Sequence, residues 1–223
     1  MGPTASPQTQ LNVEATRVFA LRHGQTAWNA AQRIQGHTDE PLDDTGRWQV
    51  ARLAQALAGE GITAIYSSDL QRAHATALAL AATTGVAVNT DLRLRERAFG
   101  RFEGATFTEI ERRWPDEALR WRRREPGFGP GGGEALSAFY ARSVTAVAQL
   151  AARHPGQAIA VVAHGGVLDC LYRAALRIAL DAPRSWQLGN ASINRLLYAG
   201  GACTLVGWND AAHLDDAPAA APA

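Results

Sequence analysis

The sequence predicts an α/β fold, a three-layer α/β/α sandwich built around a mostly parallel central sheet. Short apolar segments alternate along the chain with longer segments of helical periodicity. The apolar segments are continuous, which is typical of parallel strands that are covered by helices on both faces. Of the 223 residues 47% are hydrophobic, so the chain can bury the core of one domain of ordinary size.

In the first half of the chain we predict strands at Val18–Leu21, Ile62–Tyr66 and Val86–Val88, and helices at Asp44–Leu57 and Ser68–Ala82. In the first of these helices the apolar residues recur three and four positions apart, which predicts that one face packs on the sheet. Ser68 is followed three residues later by Gln71, which is the capping-box pattern. This pattern predicts that the second helix begins at Ser68.

In the second half we predict helices at Thr106–Trp114, Glu117–Arg124, Glu134–Arg153 and Val167–Leu176, and strands at Ile159–Ala163, Ser192–Tyr198 and Cys203–Trp208. A glycine-rich turn, Gly127–Gly133, precedes the long helix. Residues 16–208 are predicted to form one domain, in which residues 97–133 make a lid or specificity segment. Residues 1–15 and 209–223 contain little to bury, so we expect both ends to be disordered.

The charge composition excludes several classes of function. All 22 basic residues are arginines, so the chain has no lysine for a Walker-type phosphate loop or for Schiff-base chemistry. The formal net charge of +1 argues against a broad nucleic-acid-binding surface. Any phosphate recognition must then rely on arginine, histidine and backbone N–H groups.

The sequence says less about the cellular compartment and the oligomeric state of the protein. Cys170 and Cys203 both lie in apolar runs, which favours two reduced core thiols over a disulfide or a zinc site. The N-terminal segment lacks the apolar region of a signal peptide, and no apolar run reaches the ~20 residues of a membrane span. We expect a cytoplasmic protein that does not bind a membrane. Its oligomeric state stays open, with a homodimer through a sheet edge or a helix pair as one option.

Two of the predicted strands end in the same dipeptide, His-Gly. His23 follows the first strand, and His164 follows the strand at Ile159–Ala163. In open α/β sheets ligands bind beyond the carboxyl ends of the strands, so both histidines are expected at a binding edge. A single such histidine is usually structural, but the repeated pair favours a functional site. Gly165 also opens a helix, whose N-terminal N–H groups can bind an anion.

Two arginines and a glutamate are expected near the same edge. Arg22 precedes His23, and Arg72 lies early in the helix that follows the second strand. Arginine forks match phosphate oxygens, and their charge lowers the pKa of a nearby imidazole and keeps it neutral as a nucleophile. Glu96 is the candidate general acid for the leaving alkoxide, although it could instead be a solvated partner of a neighbouring arginine. This set of residues predicts phosphoryl transfer through His23.

Seven short segments carry a resemblance to a known family. They are, in order, Leu21–Asn29, Arg33–Asp39, Leu42–Gly46, Tyr66–Ala73, Leu94–Glu96, Gly132–Glu134 and Val162–Gly166. Together they resemble the motifs of the histidine phosphatase superfamily, in its phosphoglycerate-mutase-like branch. The similarity extends from about Arg17 to Trp208, and it implies a phosphoglycerate mutase-like fold and phosphohistidine chemistry.

The resemblance implies a role for each matched residue. His23 would be the phosphorylated nucleophile, and Glu96 would donate a proton to the leaving group and then act as the base for water. The phosphoryl group would be bound by Arg22, Thr26, Asn29, Arg72, His164 and the backbone of Gly165. No metal or other cofactor would be needed, because arginine and histidine supply the positive charge.

Three functions stay open at this point. The resemblance favours a phosphomonoester hydrolase that acts on a small phosphorylated metabolite. The 2,3-bisphosphoglycerate-dependent phosphoglycerate mutases resemble the chain but carry a longer, lysine-containing insertion after the acid motif, whereas only 37 residues separate Glu96 from Glu134 here. A non-catalytic phospho-ligand or protein-binding module would be expected to lack the nucleophile or the acid, and both are present.

The lid segment and the residues before it are rich in arginine. From Arg93 to Arg124 these arginines alternate with acidic residues. The pattern is typical of a solvated helix pair held by ion pairs, but some of the arginines could bind a second anionic group of the substrate. Trp114, Trp121 and Phe128 either anchor the segment to the core or form an apolar wall of the site.

Overall fold

The computed structural model describes residues 14–215 and confirms the predicted α/β sandwich. Within these residues the strands are β1 (Thr16–Arg22), β2 (Ile62–Ser67), β3 (Val88–Thr90), β4 (Ala158–Ala163), β5 (Ile193–Ala199) and β6 (Ala202–Asp210). They form one sheet in the order β3-β2-β4-β1-β5-β6. Strands β3, β2, β4 and β1 pair in parallel. Strand β5 pairs with β1 and strand β6 with β5 in antiparallel fashion. The sheet is mostly parallel, as predicted.

Helices cover both faces of the sheet. They are α1 (Ala27–Ala30), α2 (Asp44–Ala56), α3 (Gln71–Thr84), α4 (Phe107–Arg113), α5 (Pro115–Arg122), α6 (Leu136–Ala151) and α7 (Gly165–Leu176). In β1, Val18 and Ala20 pack in the apolar cluster of α6 and α7, whereas Phe19 and Leu21 pack in the cluster of α2 and α3. Every residue of β4 is buried. Burial on both faces explains why the central strands are apolar without alternation.

The lid segment has a small core of its own. Phe102, Ile110 and Ala118 are buried there, and Trp114 and Trp121 pack against them. The rings of Phe102 and Trp114 stack with centroids 5.4 Å apart. The two tryptophans therefore anchor helices α4 and α5, as the first of the two predicted roles requires, and Trp121 also lines a cavity at the sheet edge, as the second requires.

The start of α3 differs from the prediction. The helix begins at Gln71, and its N-cap residue, Leu70, makes no side-chain capping bond. The capping box predicted at Ser68 and Gln71 is therefore wrong. Ser68 is buried, and its hydroxyl lies 2.9 Å from Nε2 of His164 and accepts from the N–H of Leu70 at 3.3 Å. The N–H of Gln71 donates to Oδ1 of Asp39 at 2.7 Å instead.

The predicted boundary of the C-terminal tail is also wrong. Strand β6 extends to Asp210, and a 3-10 helix follows at Ala212–Leu214. The Asn209 N–H donates to Oδ1 of Asn194 at 2.7 Å, and Nε2 of His213 lies 3.1 Å from the carbonyl of Ala191. These contacts tie the segment to the sheet up to residue 215. The disorder predicted for residues 1–13 and 216–223 concerns positions outside the described residues.

Two further predictions concern the thiols and the membrane. Cys170 is buried and Cys203 is half-buried, and both are free thiols, as expected. No helix in residues 14–215 combines the length and the apolar character that crossing a bilayer requires.

Close backbone packing holds the loop after β1 against α2. Gly46, in the first turn of α2, lies so near this loop that a Cβ at Gly46 would overlap the backbone oxygen and nitrogen of Gln25. Gly24 likewise faces the carbonyl of Gly46 and the side chain of Val50. The residues after β1 can pack this closely against α2 only because Gly24 and Gly46 have no Cβ atom.

We expect Gly46→Ala to lower the free energy of unfolding by about 1–3 kcal/mol, because the added methyl group displaces the backbone at Gln25. Gly59→Ala is the matched control, since a Cβ at Gly59 meets no atom within 4 Å. That substitution should change stability by less than about 1 kcal/mol. Urea unfolding followed by far-UV circular dichroism measures both values, and equal stabilities of the two variants would contradict the packing argument.

Candidate active site

Three neighbouring strands bring the predicted residues together at one edge of the sheet. β4 lies between β1 and β2, and the register places Arg22 beside Ala163 and Ser67 beside Val162. His23 and His164 therefore follow adjacent strand ends at the same level. Their ring centroids are 5.2 Å apart, and both side chains are buried.

A cavity of about 310 Å³ opens in front of these histidines. It is lined by Arg22, His23, Asn29, Arg33, Ile34, Gln35, Gly36, Arg72, Glu96, Phe99, Trp121, Arg124, Gly165, Gly166, Asp169 and Arg184. This volume lies at the lower end of the range of roughly 300–1,000 Å³ that is typical of small-molecule sites. Five arginines and two carboxylates line it, so the cavity is suited to an anionic ligand of modest size.

The imidazole of His23 is oriented by its own neighbour in the chain. Nδ1 lies 2.7 Å from the carbonyl oxygen of Gly24. A carbonyl only accepts hydrogen bonds, so Nδ1 carries the proton and Nε2 carries the lone pair. Burial, and then the positive charges of Arg72 and Arg22, hold the pKa of His23 well below its usual value of 6.5. The ring is therefore neutral and nucleophilic at Nε2.

Arg22 and Arg72 are held by backbone carbonyls. Nη1 of Arg22 donates to Leu188 at 2.6 Å, and Arg72 donates to Thr38 at 2.9 Å and to Gly36 at 2.8 Å. Burial lowers the pKa of Arg22 to about 10, so this guanidinium is still charged at neutral pH. Within the described residues the Nε atoms of both arginines are buried without a hydrogen-bond partner. The pair therefore presents positive charge and unpaired donors at the cavity.

Glu96 also lines the cavity, where backbone donors fix its carboxylate. Its carboxylate accepts from the N–H of Arg97 at 2.7 Å and from the N–H of Gly166, in the first turn of α7, at 2.8 Å. Its own carbonyl lies 2.8 Å from Nε2 of His37 and 3.4 Å from Nη2 of Arg142. Both ends of the residue are thereby held. The predicted alternative, a solvated partner of a neighbouring arginine, does not describe this arrangement.

His164 is held through its Nε2 atom. This atom lies 2.9 Å from Oγ of Ser68. Nδ1 is buried and has no hydrogen-bond partner within residues 14–215. Burial, and then the charge of Arg72, lowers the pKa of His164 well below 6.5. A neutral His164 with a proton on Nδ1 would offer one donor, and the Ser68 hydroxyl would then donate to Nε2.

Asn29 and Gly165 line the cavity, whereas Thr26 and His164 are fully buried behind its lining. The hydroxyl of Thr26 caps α1 by accepting from the N–H of Asn29. The phosphate contact predicted for Thr26 stays a prediction. Oδ1 of Asn29 accepts from Thr26 and from Nδ2 of Asn190, which leaves the Asn29 amide N–H₂ as the donor on the cavity side.

Several residues of the site carry no clear signal in the sequence. Asn190 donates to the carbonyl of His23 at 3.0 Å, and His37 supports Glu96 from a loop. Asp169 and Arg184 line the outer part of the cavity. His37, Asn190 and Arg184 lie in loops that fold over the sheet edge, and Asp169 lies on α7.

Five of the eight arginines of the lid segment have contacts of three kinds. Arg101, Arg120 and Arg122 form exposed ion pairs with Glu117, Glu125 and Glu111. Arg97 is buried, and it donates to the carbonyls of Phe128 at 2.5 Å and Glu134 at 2.9 Å, which fixes the glycine-rich turn. Arg124 alone of the lid arginines lines the cavity. Both predicted patterns are present: a solvated ion-paired surface, and one arginine at the site.

Comparison with known proteins gives consistent relationships. The model of the histidine phosphatase superfamily (branch 1) matches residues 18–211. The chain is 39% identical over 210 residues to phosphoglycerate mutase-like protein 4 of Arabidopsis thaliana, covering 92% of this chain and 90% of that protein. It is 35% identical over 212 residues to the metal-independent phosphoserine phosphatase of Arabidopsis thaliana, covering 94% and 87% of the two chains.

One similar solved structure holds an oxyanion of vanadium. It is mycobacterial glucosyl-3-phosphoglycerate phosphatase in complex with VO3, at 35% identity and a TM-score of 0.77. The alignment covers 86% of this chain and 98% of that chain.

The two buried imidazoles should make stability fall as the pH drops below 6.5. In the native state their pKa values lie below this value, whereas in the unfolded chain they return to it. The unfolded state then binds more protons, and each histidine can remove up to about 1.4 kcal/mol per pH unit.

Urea unfolding between pH 7.5 and 5.5 measures this slope. We expect His164→Asn to reduce the slope by up to about 1.4 kcal/mol per pH unit, which corresponds to one proton, because asparagine does not titrate. An unchanged slope in that variant would show that His164 is protonated in the native state.

Proposed function

Because the chain belongs to the histidine phosphatase superfamily, we propose that it hydrolyses a phosphomonoester of a small metabolite through a covalent phosphohistidine on His23. The observation that carries the proposal is the bond between Nδ1 of His23 and the carbonyl of Gly24 at 2.7 Å. It directs a neutral, nucleophilic Nε2 toward a cavity that is rich in arginine.

The proposed reaction has two displacements at phosphorus. The lone pair of His23 Nε2 attacks the phosphorus atom, the bond to the ester oxygen breaks, and the departing oxygen takes a proton from Glu96. Glu96 then removes a proton from water, whose oxygen attacks the phosphohistidine. The N–P bond breaks, inorganic phosphate leaves, and the His23 lone pair is restored.

The positive charges are placed to stabilise the transferring group. Arg22 and Arg72 carry unpaired Nε donors at the cavity, and His164 has an unpartnered Nδ1 in residues 14–215. The Asn29 amide and the backbone of Gly165, at the N-terminus of α7, would add further donors. These groups are fixed before substrate binds, which is the arrangement that favours electrostatic stabilisation of the transition state.

Glu96 is proposed as the acid because its carboxylate lies at the cavity and its backbone is held on both sides. The two N–H groups that bind the carboxylate would keep it in place while the proton is transferred. Proton donation matters most for a poor leaving group such as an alkoxide.

Hydrolysis is favoured over mutase activity by the short lid segment. In a mutase the phosphoryl group returns to the substrate, and water must be excluded from the phosphoenzyme. Here the segment between Glu96 and Glu134 is short, and three exposed ion pairs are spread over it. The cytoplasmic location, the homodimer and the lack of nucleic-acid binding predicted from the sequence stay predictions, and the proposed reaction depends on none of them.

Phosphorus NMR tests the proposed reaction with 3-phosphoglycerate and p-nitrophenyl phosphate, in the presence of EDTA. We expect inorganic phosphate from the wild type, and at least a 10³-fold lower rate from His23→Ala, since the nucleophile is lost. Formation of 2-phosphoglycerate without free phosphate would identify a mutase. No turnover of any phosphomonoester, with phosphate still bound, would identify a non-catalytic phospho-ligand module.

Glu96→Gln separates proton donation from the other steps. Glutamine keeps the size of the side chain but cannot donate a carboxyl proton. We expect the rate of phosphoenzyme formation to fall about 10²- to 10⁴-fold for an alkyl phosphate and much less for p-nitrophenyl phosphate, whose leaving group needs no acid. Rapid-quench single-turnover measurements give both rates, and an equal loss for the two substrates would remove Glu96 from the role of acid.

A further inference from the structure

The guanidinium of Arg72 takes its position from the loop between α1 and α2. The backbone of Arg72 lies in the first turn of α3, but Nη2 donates to the carbonyl of Gly36 at 2.8 Å and Nη1 donates to the carbonyl of Thr38 at 2.9 Å. Neither of these carbonyls belongs to a helix or a strand. The guanidinium is therefore held only as firmly as this loop is.

The carboxylate of Glu103 fixes the same loop. Its Oε1 accepts from the N–H of His37 at 3.1 Å, and its Oε2 accepts from the N–H and the hydroxyl of Thr38, at 3.0 and 2.9 Å. Oε1 also accepts from the N–H of Phe99 at 3.0 Å. Hydrogen bonds to an ionised acceptor are roughly twice as strong as neutral ones. Four donors converge on one carboxylate, which makes Glu103 the anchor of the loop.

One peptide group joins Glu103 to Arg72. The carbonyl of Gly36 and the N–H of His37 belong to the same peptide bond, and this bond is trans. In a trans peptide the C=O and the N–H point in opposite directions. Arg72 therefore binds one side of this peptide, and Glu103 binds the other. Hydrogen bonds that are linked in this way polarise and strengthen one another.

Gly36 shows how closely the carboxylate approaches the loop. Its φ is +55°, in the left-handed region, and a Cβ on Gly36 would overlap the carboxylate of Glu103. Backbone pairing continues the contact, since the N–H of Gly104 donates to Ile34 at 2.8 Å and the N–H of Ile34 donates to Ala105 at 3.0 Å. The loop and the segment that carries Glu103 thus form one unit.

An indirect contact suits phosphoryl transfer better than a direct ion pair does. A carboxylate bound to the guanidinium itself would compete with the phosphoryl group for its donors. Here the Nε of Arg72 has no hydrogen-bond partner among residues 14–215. Burial lowers the pKa of Arg72, and the negative charges of Glu96, Asp39 and Glu103 oppose this effect. Arg72 therefore keeps its charge and a free donor while its position is fixed.

We propose that Glu103 is a positioning residue, which holds the guanidinium of Arg72 against the transferring phosphoryl group through the peptide between Gly36 and His37. The inference rests on the proposed function, because that function assigns Arg72 to the phosphoryl group. Glu103 itself is not part of the cavity lining in residues 14–215. Its effect on the reaction passes through Arg72.

Glu103→Gln removes the charge and one acceptor oxygen but keeps the size of the side chain. Its amide N–H₂ then faces backbone N–H groups, so the loop has to move. We expect kcat/KM for p-nitrophenyl phosphate to fall about 10- to 100-fold. This substrate needs no general acid, which keeps any change at Glu96 out of the measurement. Glu111→Gln is the matched control, because Glu111 forms an exposed ion pair with Arg122 in the same segment, and it should stay within about 3-fold of the wild type.

A double-mutant cycle with Arg72→Lys separates positioning from a general structural effect. Lysine keeps the charge but lacks the planar fork that binds both carbonyls. We expect Glu103→Gln to change kcat/KM by less than about 3-fold in the Arg72→Lys background, because the interaction that it disturbs is already lost. An equal loss in both backgrounds would overturn the proposal, since Glu103 would then act through the fold or, by way of His37, through Glu96.

Calorimetric titration with inorganic phosphate gives a second readout that does not depend on turnover. We expect Glu103→Gln and Arg72→Lys each to weaken phosphate binding about 10-fold or more, and the double variant to bind no more weakly than Arg72→Lys does. This pattern without hydrolysis would contradict the proposed function and still support the role of Glu103. Wild-type affinity in Glu103→Gln would overturn that role, as would a wild type that neither binds phosphate nor turns over.

Far-UV circular dichroism of each variant shows whether it is folded. If Glu103→Gln does not fold, Glu103→Asp replaces it in the same cycle. Aspartate keeps the charge but is one methylene shorter, so it cannot reach the N–H groups of both His37 and Thr38 unless the loop moves. We expect the same loss of about 10-fold or more in the wild-type background, and no further loss in the Arg72→Lys background. Additive losses in this second cycle would also overturn the proposal.

Discussion

The structure depends on two arginines at the carboxyl edge of the sheet, Arg22 and Arg72, whose guanidinium groups are hydrogen-bonded to backbone carbonyls and not to a carboxylate. Arg22 and Arg72 donate to the carbonyls of Leu188, Gly36 and Thr38. A carbonyl satisfies a donor but leaves the charge in place. The site therefore keeps its attraction for an anion, whereas direct pairing with aspartate or glutamate would have removed most of it. The loops that supply these carbonyls are at the same time the walls of the cavity.

The same charge decides the protonation state of the histidines. Burial alone disfavours an imidazolium, and the two arginines make it less favourable still. His23 is thereby kept as a nucleophile, and His164 as a neutral donor, without a carboxylate at either ring. The carboxylate of Glu96 is bound by the N–H groups of Arg97 and Gly166 and not by a guanidinium, so it stays at the cavity. Burial and the two arginines thus keep both histidines neutral.

What the sequence could reveal depends on how local each signal is. His23 and His164 follow apolar strands directly, and the rule that ligands bind at strand ends was sufficient to bring them together. Ser68 has an equally local pattern, but no capping box forms, because the Gln71 N–H donates to Asp39, 32 residues away, and the Ser68 hydroxyl lies against His164. Asn190 and Arg184 lie in a loop without periodicity, and only the packing of that loop over the sheet brings them to the site.

The two parts of the cavity differ in how strictly the fold determines them. The phosphoryl part is built on strand ends and a helix N-terminus, so its geometry follows from the sheet and would suit many phosphomonoesters. The outer part is built from the end of α5 and the loop after α7, around the buried carboxylate of Asp169. Loops of this kind can change without disturbing the sheet. The residues of the proposed reaction are therefore held by the sheet, whereas Arg124 and Arg184 are held by the segments that Asp169 joins.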